Sequence, residues 1–224
     1  CVRLDEEELV GKTRASALAR GMAPRRARPG RGRRSPARAE GSTTHLSAVD
    51  GRGDAVSLTQ TLGSPFGSGV VVPGLGFIWN DHMLWMEADP ASPNAPGPGK
   101  RTITNMSPTL VYEGERLRLV VGSPGSYRIV PALAQVLVNF LDHGMSLAEA
   151  VEAPRFHFQG EKLELEERIP EGVRRELAGR GFDLRVGGAF DHYFGGFHAV
   201  ELDAESGALR AAADPRRTGT VAVL

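Results

Sequence analysis

The chain has 224 residues, of which 41% are hydrophobic and 24% are charged, so it is long enough and apolar enough for one globular domain. Its 27 basic residues balance its 27 acidic ones, which argues against nucleic acid or an anionic membrane as the partner of the whole chain. The single cysteine, Cys1, excludes an intrachain disulfide, and no apolar run reaches the ~18 residues of a membrane-spanning helix.

The first 42 residues differ in composition from the rest of the chain. From Arg14 to Arg38 the sequence is rich in arginine and lacks aromatic residues, so it cannot offset the entropy of ordering. We predict a disordered or linker segment over residues 1–42 and a folded domain over residues 43–224. The basic run could bind nucleic acid or act as a targeting signal, but a solvated tail is the preferred interpretation. Because the chain begins with Cys1, we expect a fragment, and a missing signal peptide would place the protein in the periplasm or outside the cell, otherwise the cytoplasm.

Strands are predicted from Thr43 onward. The stretches "THLSAVD" and "AVSLTQTL" alternate apolar and polar residues around "DGRGD", a pattern typical of a β-hairpin. The next stretch, "GVVVPGLGFIWN", is predicted as strand material interrupted by Pro73 and Gly74, and "EADPASPNAPGPGKR" as a loop. A second hairpin is predicted in "SPTLVYEGERLRLVVGSPG", with its turn at Glu113 to Glu115.

Helices follow these strands. Apolar residues at helical spacing from Ile129 to Phe140 predict one helix, and Ser146 is predicted to cap a second, "LAEAV". A third helix, "PEGVRRELAGRG", lies between the predicted strands "KLELEE" and "FDLRV", and "FHAVELDAESGALRAAAD" predicts further strands. Grouped strands, paired helices and returning strands indicate an α+β layered domain rather than a parallel βαβ fold.

Thr43 and Thr44 lie where the arginine-rich segment meets the first predicted strand. A threonine hydroxyl is a poor nucleophile alone, but cleavage before it would free an α-amino group, of pKa about 7.7 to 8.0, to act as its general base. A cut at the boundary between a flexible segment and a strand would leave the new terminus anchored. The alternative is structural, because β-branched residues are common in strands.

Six motifs, "TTHLSAVD", "FGSG", "GKR", "MSPTLV", "GSPG" and "EAVEAPRFHFQ", occur in an order and spacing that resemble the small catalytic subunit of gamma-glutamyltransferases. The resemblance covers residues 43–224 and implies an N-terminal nucleophile hydrolase with an αββα sandwich. It implies that a large subunit of the same precursor supplies half of the sandwich, and that the precursor cleaves itself between Ser42 and Thr43. Catalysis would transfer or hydrolyse the acyl group of a small-molecule amide through an acyl-enzyme on Thr43, and we expect no metal or other cofactor.

The resemblance also implies roles for individual residues. Thr61 falls on the family's second threonine, which hydrogen-bonds the nucleophile and supports self-cleavage. Gly125 and Ser126, in the "GSPG" turn, fall on the residues whose backbone N–H groups stabilise the oxyanion. The serine pair that holds the substrate's α-carboxylate falls on Thr104 and Asn105. By themselves, a strand threonine and a glycine turn would be interpreted as ordinary structure.

This chain departs from the family pattern at the positions that recognise the substrate. Gly63 stands where the family usually has asparagine, and Trp85 where it has the acidic residue that holds the substrate's α-ammonium. A hydrogen bond to a charged group is worth about 1.5 to 3 kcal/mol, so we expect a roughly ten- to hundredfold change in substrate preference. Trp85 would offer apolar surface and His82 a polar group, unless Trp85 is a packing residue outside any pocket.

Two hypotheses remain open from the sequence. The first is an N-terminal threonine amidohydrolase of the gamma-glutamyltransferase type with altered acyl-group recognition, which the retained Thr43, Thr61 and "GSPG" favour. The second is a non-catalytic, unprocessed remnant that acts as a binding module, which the changed pocket favours.

Overall fold

The computed structural model describes residues 12–21, 42–158, 160–203 and 206–223. Nine strands and four α-helices are named here in chain order: α1 (Lys12–Gly21), β1 (Thr43–Val49), β2 (Ala55–Thr61), β3 (Thr109–Glu113), β4 (Arg116–Gly122), α2 (Ile129–Leu141), α3 (Leu147–Glu152), β5 (Phe156–Phe158), β6 (Leu163–Glu166), α4 (Glu171–Gly179), β7 (Leu184–Gly187), β8 (His198–Leu202) and β9 (Leu209–Ala213). None of the helices in these ranges is long and apolar enough to cross a membrane.

The core lies between a four-stranded antiparallel sheet and two helices. The sheet has the strand order β3-β4-β8-β9, and α2 and α3 cover one of its faces. Both helices begin where the sequence predicts, and Ser146 forms a capping box with Glu149 at the start of α3. The apolar residues of this core come from both layers: Leu119, Val121, Ala132, Leu133, Val136, Phe140, Leu147, Ala150, Val151, Phe197 and Ala199. The α+β prediction is confirmed.

The β1-β2 hairpin packs on the opposite face of the sheet, and it does so through its polar side. Ser57 Oγ donates to the Val121 carbonyl at 3.1 Å, and Ser47 Oγ donates to the His198 carbonyl at 2.9 Å. The apolar side of the hairpin points outward, with Leu46 55% exposed. The described layers are therefore helices, sheet and hairpin, which are three of the four layers of an αββα sandwich.

Three of the strands form a smaller sheet. Its strand order is β5-β6-β7, with β5 antiparallel and β7 parallel to β6. Helix α4 connects β6 to β7, so this sheet contains one parallel βαβ unit within the predicted α+β fold.

Two predictions about the secondary structure of short segments are wrong. Helix α1 lies within the segment predicted to lack structure, because "ASALAR" is rich in residues with high helix propensity; the rest of residues 1–41 lies outside the described residues. Residues 70–79 form a series of turns rather than strands, with one isolated bridge between Val71 and Ile78. Pro73 and two nearby glycines with positive φ interrupt the ladder there.

A cluster of buried charges joins the helical layer to the strands. The Arg155 guanidinium, 1% exposed, donates to Asp214 at 2.6 Å, and Arg216 bridges Asp214 to Glu166. Burial lowers the pKa of Arg155 to about 10 even though Asp214 opposes this effect. Arg155 belongs to the "APRFH" motif, so within this part of the chain that motif stabilises the fold.

Candidate active site

Thr43 and Thr61 lie directly opposite each other at the open end of the hairpin. Strand pairing puts them in register, and the Thr43 hydroxyl donates to Thr61 Oγ1 at 2.9 Å. Thr61 Oγ1 also accepts a hydrogen bond from the Gly63 N–H at 2.9 Å. The contact that the resemblance implied for Thr61 is therefore present.

The peptide bond before Thr43 is held by the same residues. The Ser42 carbonyl accepts hydrogen bonds from the Leu62 N–H at 3.1 Å and from Thr61 Oγ1 at 3.4 Å. Ser42 itself is fixed further by its N–H, which donates to the Gly63 carbonyl at 3.2 Å. Two donors thus polarise the Ser42 carbonyl, whose carbon would be attacked if the bond between Ser42 and Thr43 were cleaved.

Gly63 forms a turn in which an added side chain would collide with Asp81. Its φ is +87°, and a Cβ there would lie 2.0 Å from Asp81 Oδ1. The Asp81 carboxylate accepts from Ser64 N at 2.9 Å and from Ser64 Oγ at 2.5 Å. Partial burial raises the pKa of Asp81, but these hydrogen bonds outweigh that effect and hold it below its usual value. Asp81 therefore occupies, as a carboxylate, the space that an asparagine at position 63 would need; the sequence analysis missed it.

The "GSPG" turn follows β4 and leads into α2. Gly125 has φ 146° and Ser126 has φ 58°, a left-handed conformation that is uncommon for serine. The buried Ser123 supports the turn, since its Oγ accepts from the Gly196 N–H at 2.9 Å. In the described part of the chain, neither the Gly125 nor the Ser126 N–H donates to another protein group. The geometry suits an oxyanion site, and that role for both residues stays a prediction.

His45 connects this turn to β1, the strand that begins with Thr43. It is buried, with Nδ1 2.7 Å from Thr59 Oγ1 and Nε2 3.0 Å from Ser47 Oγ. The Ser47 hydroxyl donates its one proton to the His198 carbonyl, so it accepts a hydrogen bond from His45 Nε2–H. His45 is therefore the neutral tautomer that carries its proton on Nε2. Burial, and then the charge of His198, lower the pKa of His45 to about 4. A Cβ at Gly122 would lie 2.2 Å from the His45 ring, so the start of the turn packs against β1.

Trp85 lies beside the other side of the turn. It ends a short 3₁₀ helix that begins at His82, and its ring centroid is 4.7 Å from that of Tyr127, the residue after Ser126. The His82 ring stacks 6.2 Å from Trp85, and in the described residues neither of its nitrogens has a hydrogen-bond partner. Trp85 is half-buried. The contact with Tyr127 brings Trp85 close to the turn that contains Gly125 and Ser126, which supports the hypothesis that Trp85 lies near the candidate site.

Asn94 brings a further segment to this region. This buried side chain donates from Nδ2 to the Trp85 carbonyl at 2.6 Å and accepts at Oδ1 from the Ile103 N–H at 3.1 Å. Thr104 and Asn105 follow Ile103 directly, and their hydrogen bonds are local: Thr104 Oγ1 accepts from the Met106 N–H, and the Asn105 carbonyl accepts from Ser107 Oγ. Sequence reasoning missed Asn94, because an asparagine in a loop rich in proline and glycine is usually a turn residue.

The layered fold, with a threonine pair at the start of its first strand, defines the class of N-terminal nucleophile hydrolases. Within that class the chain belongs to the family described as gamma-glutamyltranspeptidase, whose model matches residues 2–224.

Individual relatives and solved structures agree with this assignment. The chain is 41% identical over 182 residues to the acylase ACY 1 proenzyme of Pseudomonas sp. (strain SE83), covering 80% of this chain and 31% of that protein. It is 36% identical over 186 residues to the glutathione hydrolase proenzyme of Escherichia coli, covering 78% and 31%. Similar structures include the gamma-glutamyltranspeptidase from Pseudomonas nitroreducens (36% identity, TM-score 0.71, 81% of this chain and 99% of that chain). Another is cephalosporin acylase from Bacillus halodurans (26% identity, TM-score 0.82, 98% and 39%). The chain spans about a third of the length of the curated relatives it matches.

Proposed function

We propose that this chain is the catalytic part of an enzyme that cleaves its own precursor between Ser42 and Thr43 and then transfers or hydrolyses acyl groups from amides. The observation that carries the proposal is the 2.9 Å contact between the hydroxyls of Thr43 and Thr61, next to the polarised Ser42 carbonyl. The names of the relatives support it, since they include proenzymes of a glutathione hydrolase and an acylase.

In self-cleavage, Thr43 Oγ1 attacks the carbonyl carbon of Ser42. The Leu62 N–H and the Thr61 hydroxyl stabilise the negative charge that forms on the carbonyl oxygen. The bond from that carbon to the Thr43 nitrogen breaks, and the hydroxyl proton ends on the nitrogen. Water then hydrolyses the resulting ester, which leaves a carboxylate on Ser42 and a free α-amino group on Thr43.

In turnover, the free amino group accepts the proton of the Thr43 hydroxyl as the hydroxyl attacks an amide substrate. The amine leaves with that proton, and water or another amine releases the acyl group from Thr43. The Gly125 and Ser126 N–H groups stabilise the oxyanion. A large subunit of the same precursor is the proposed partner, and the exposed apolar face of the hairpin, formed by Leu46, Val56 and Leu58, supports this because so much uncovered apolar surface favours an interface.

Acyl recognition is proposed to differ from that of gamma-glutamyl enzymes. Trp85 supplies apolar surface where an ammonium would need a carboxylate, and both oxygens of the neighbouring Asp81 already accept hydrogen bonds from Ser64. Thr104 and Asn105 offer polar groups to the far end of the substrate, whereas both ring nitrogens of His82 are buried, so His82 acts by stacking against Trp85. The preferred acyl group therefore lacks a free α-amino group, because an apolar wall does not repay the desolvation of an ammonium.

Self-cleavage is tested by expressing the full precursor and measuring its intact mass and new N-terminus. We expect a cut before Thr43, and none in a Thr43→Ala variant. Thr44→Ala is the matched control, because this neighbouring side chain is exposed and should leave cleavage unchanged. An uncut wild-type precursor, or a cut elsewhere, would refute the mechanism and favour the non-catalytic binding module.

Acyl recognition is tested by the ratio of kcat/KM for a glutaryl anilide to that for a γ-glutamyl anilide. We expect the glutaryl compound to be preferred, and Trp85→Asp to shift the ratio toward the γ-glutamyl compound by about ten- to a hundredfold. Position 63 stays glycine in this test, because Asp81 leaves no room for an asparagine. A tenfold preference of the unmodified enzyme for the γ-glutamyl anilide would show that another residue binds the ammonium.

A further inference from the structure

We infer that Tyr127 is a specificity-determining residue whose ring forms, with the ring of Trp85, one aromatic wall of the acyl-binding site. The inference rests on the proposed function. The two ring centroids are 4.7 Å apart with the planes tilted by 59°, within the range in which aromatic pairs attract each other. No motif in the sequence singled out Tyr127.

Both rings are carried by backbone that is held in place. The Trp85 carbonyl is fixed by the buried Asn94, and Tyr127 lies in the 3₁₀ turn Ser126–Arg128, which the Arg128 N–H closes on the Gly125 carbonyl at 3.2 Å. Each ring is nevertheless only half-buried, so each retains surface for a ligand. A pair of fixed, partly exposed rings is suited to binding an apolar group.

The position of the pair indicates which part of a substrate it contacts. Tyr127 directly follows Ser126, whose N–H is proposed to bind the oxyanion, so the carbonyl carbon of the substrate would lie within ~7 Å, two residue lengths, of the Tyr127 backbone. The acyl chain is attached to that carbon and stays bound in the acyl-enzyme, whereas the amine leaves. The aromatic wall therefore contacts the acyl group, and it favours chains that carry no charge on the first three carbons after the carbonyl.

The test is a double-mutant cycle with Trp85→Leu and Tyr127→Leu in the processed protein, assayed with acetyl, glutaryl and γ-glutamyl anilides. We expect Tyr127→Leu to lower kcat/KM for the glutaryl anilide by about two- to twelvefold and to change the acetyl compound least. The double variant should lose no more than the larger single variant, since either change removes the pair. Tyr127→Phe keeps the ring and should retain the wild-type preference, and Tyr112→Leu, on the exposed side of β3, is the control.

Two results would overturn the inference. An equal loss on all three anilides would mean that Tyr127 acts only through the oxyanion turn, and additive losses would mean that the rings do not act together. If the processed protein turns over no anilide, calorimetry gives the dissociation constant of the glutaryl anilide instead. A rise of that constant in Tyr127→Leu would then support the wall while the proposed catalysis fails, and an unchanged constant would refute the wall.

Discussion

Acidification should destabilise this fold through His45, and His45→Gln should remove that sensitivity. The pKa of His45 is lowered to about 4 in the folded chain by burial and by His198, against about 6.5 in an unfolded one. Between these values the unfolded chain binds a proton that the folded chain does not, so stability falls as the pH falls from 6.5 to 4. The difference of about 2.5 pH units corresponds to at most about 3 kcal/mol.

The assay is urea unfolding at several pH values from 7.5 to 4, with the wild type and His45→Gln compared at each. We expect the wild type to lose up to about 3 kcal/mol more than the variant over this range. Ser57→Ala is the matched control, because it removes a bond between the same hairpin and sheet without removing a titratable group. Parallel pH curves for the wild type and His45→Gln would show that His45 is not held neutral by its surroundings.

Three further changes should have distinct effects. Thr61→Val should slow self-cleavage by tenfold or more, measured as loss of precursor on denaturing gels, whereas Thr61→Ser should retain it. Equal cleavage rates in the two variants would show that the Thr61 hydroxyl does not assist cleavage. Gly63→Asn should lower Tm by several degrees. The same substitution should lower Tm less in an Asp81→Ala background, because the collision with the carboxylate is then removed, and additive shifts in Tm would contradict this. Arg155→Met should cost about 3 to 5 kcal/mol in urea unfolding, because the buried Asp214 is then left to share Arg216 with Glu166 and one negative charge of the cluster is no longer balanced; Arg118→Met, whose partner is exposed, should cost less than about 1 kcal/mol, and similar costs would contradict the argument.

Local patterns in the sequence predicted the elements that carry the candidate nucleophile. Alternation around "DGRGD" predicts the β1-β2 hairpin, and the antiparallel register then places Thr43 opposite Thr61. The cap at Ser146 and the helical spacing of α2 are equally local signals. Such features depend on neighbours within a few residues, so one sequence is enough to predict them.

The features that the sequence did not reveal depend on contacts between distant segments. Gly63 could be identified as a departure from the family, but only the folded chain shows that Asp81, 18 positions later, fills its space. Tyr127 and Trp85 likewise come into contact although they are far apart in the sequence, and no periodic pattern in the sequence predicts that contact. The buried partners of Arg155 are separated from it by as many as 59 positions.

The alternation in β1 and β2 predicts two faces but does not tell which of them packs on the central sheet. Hydrophobic burial alone would turn Leu46, Val56 and Leu58 toward the central sheet. They point outward instead, and Thr43 shares the inner face with His45 because residues two apart lie on the same side of a strand. A polar inner face is what the proposed chemistry requires. Hydroxyls and one neutral imidazole fix the strand by directional hydrogen bonds, and this fixed strand orients Thr43, the proposed nucleophile at its end. The apolar face is then left for the proposed large subunit to cover, so the same two-residue period that orients Thr43 also defines the surface for its partner.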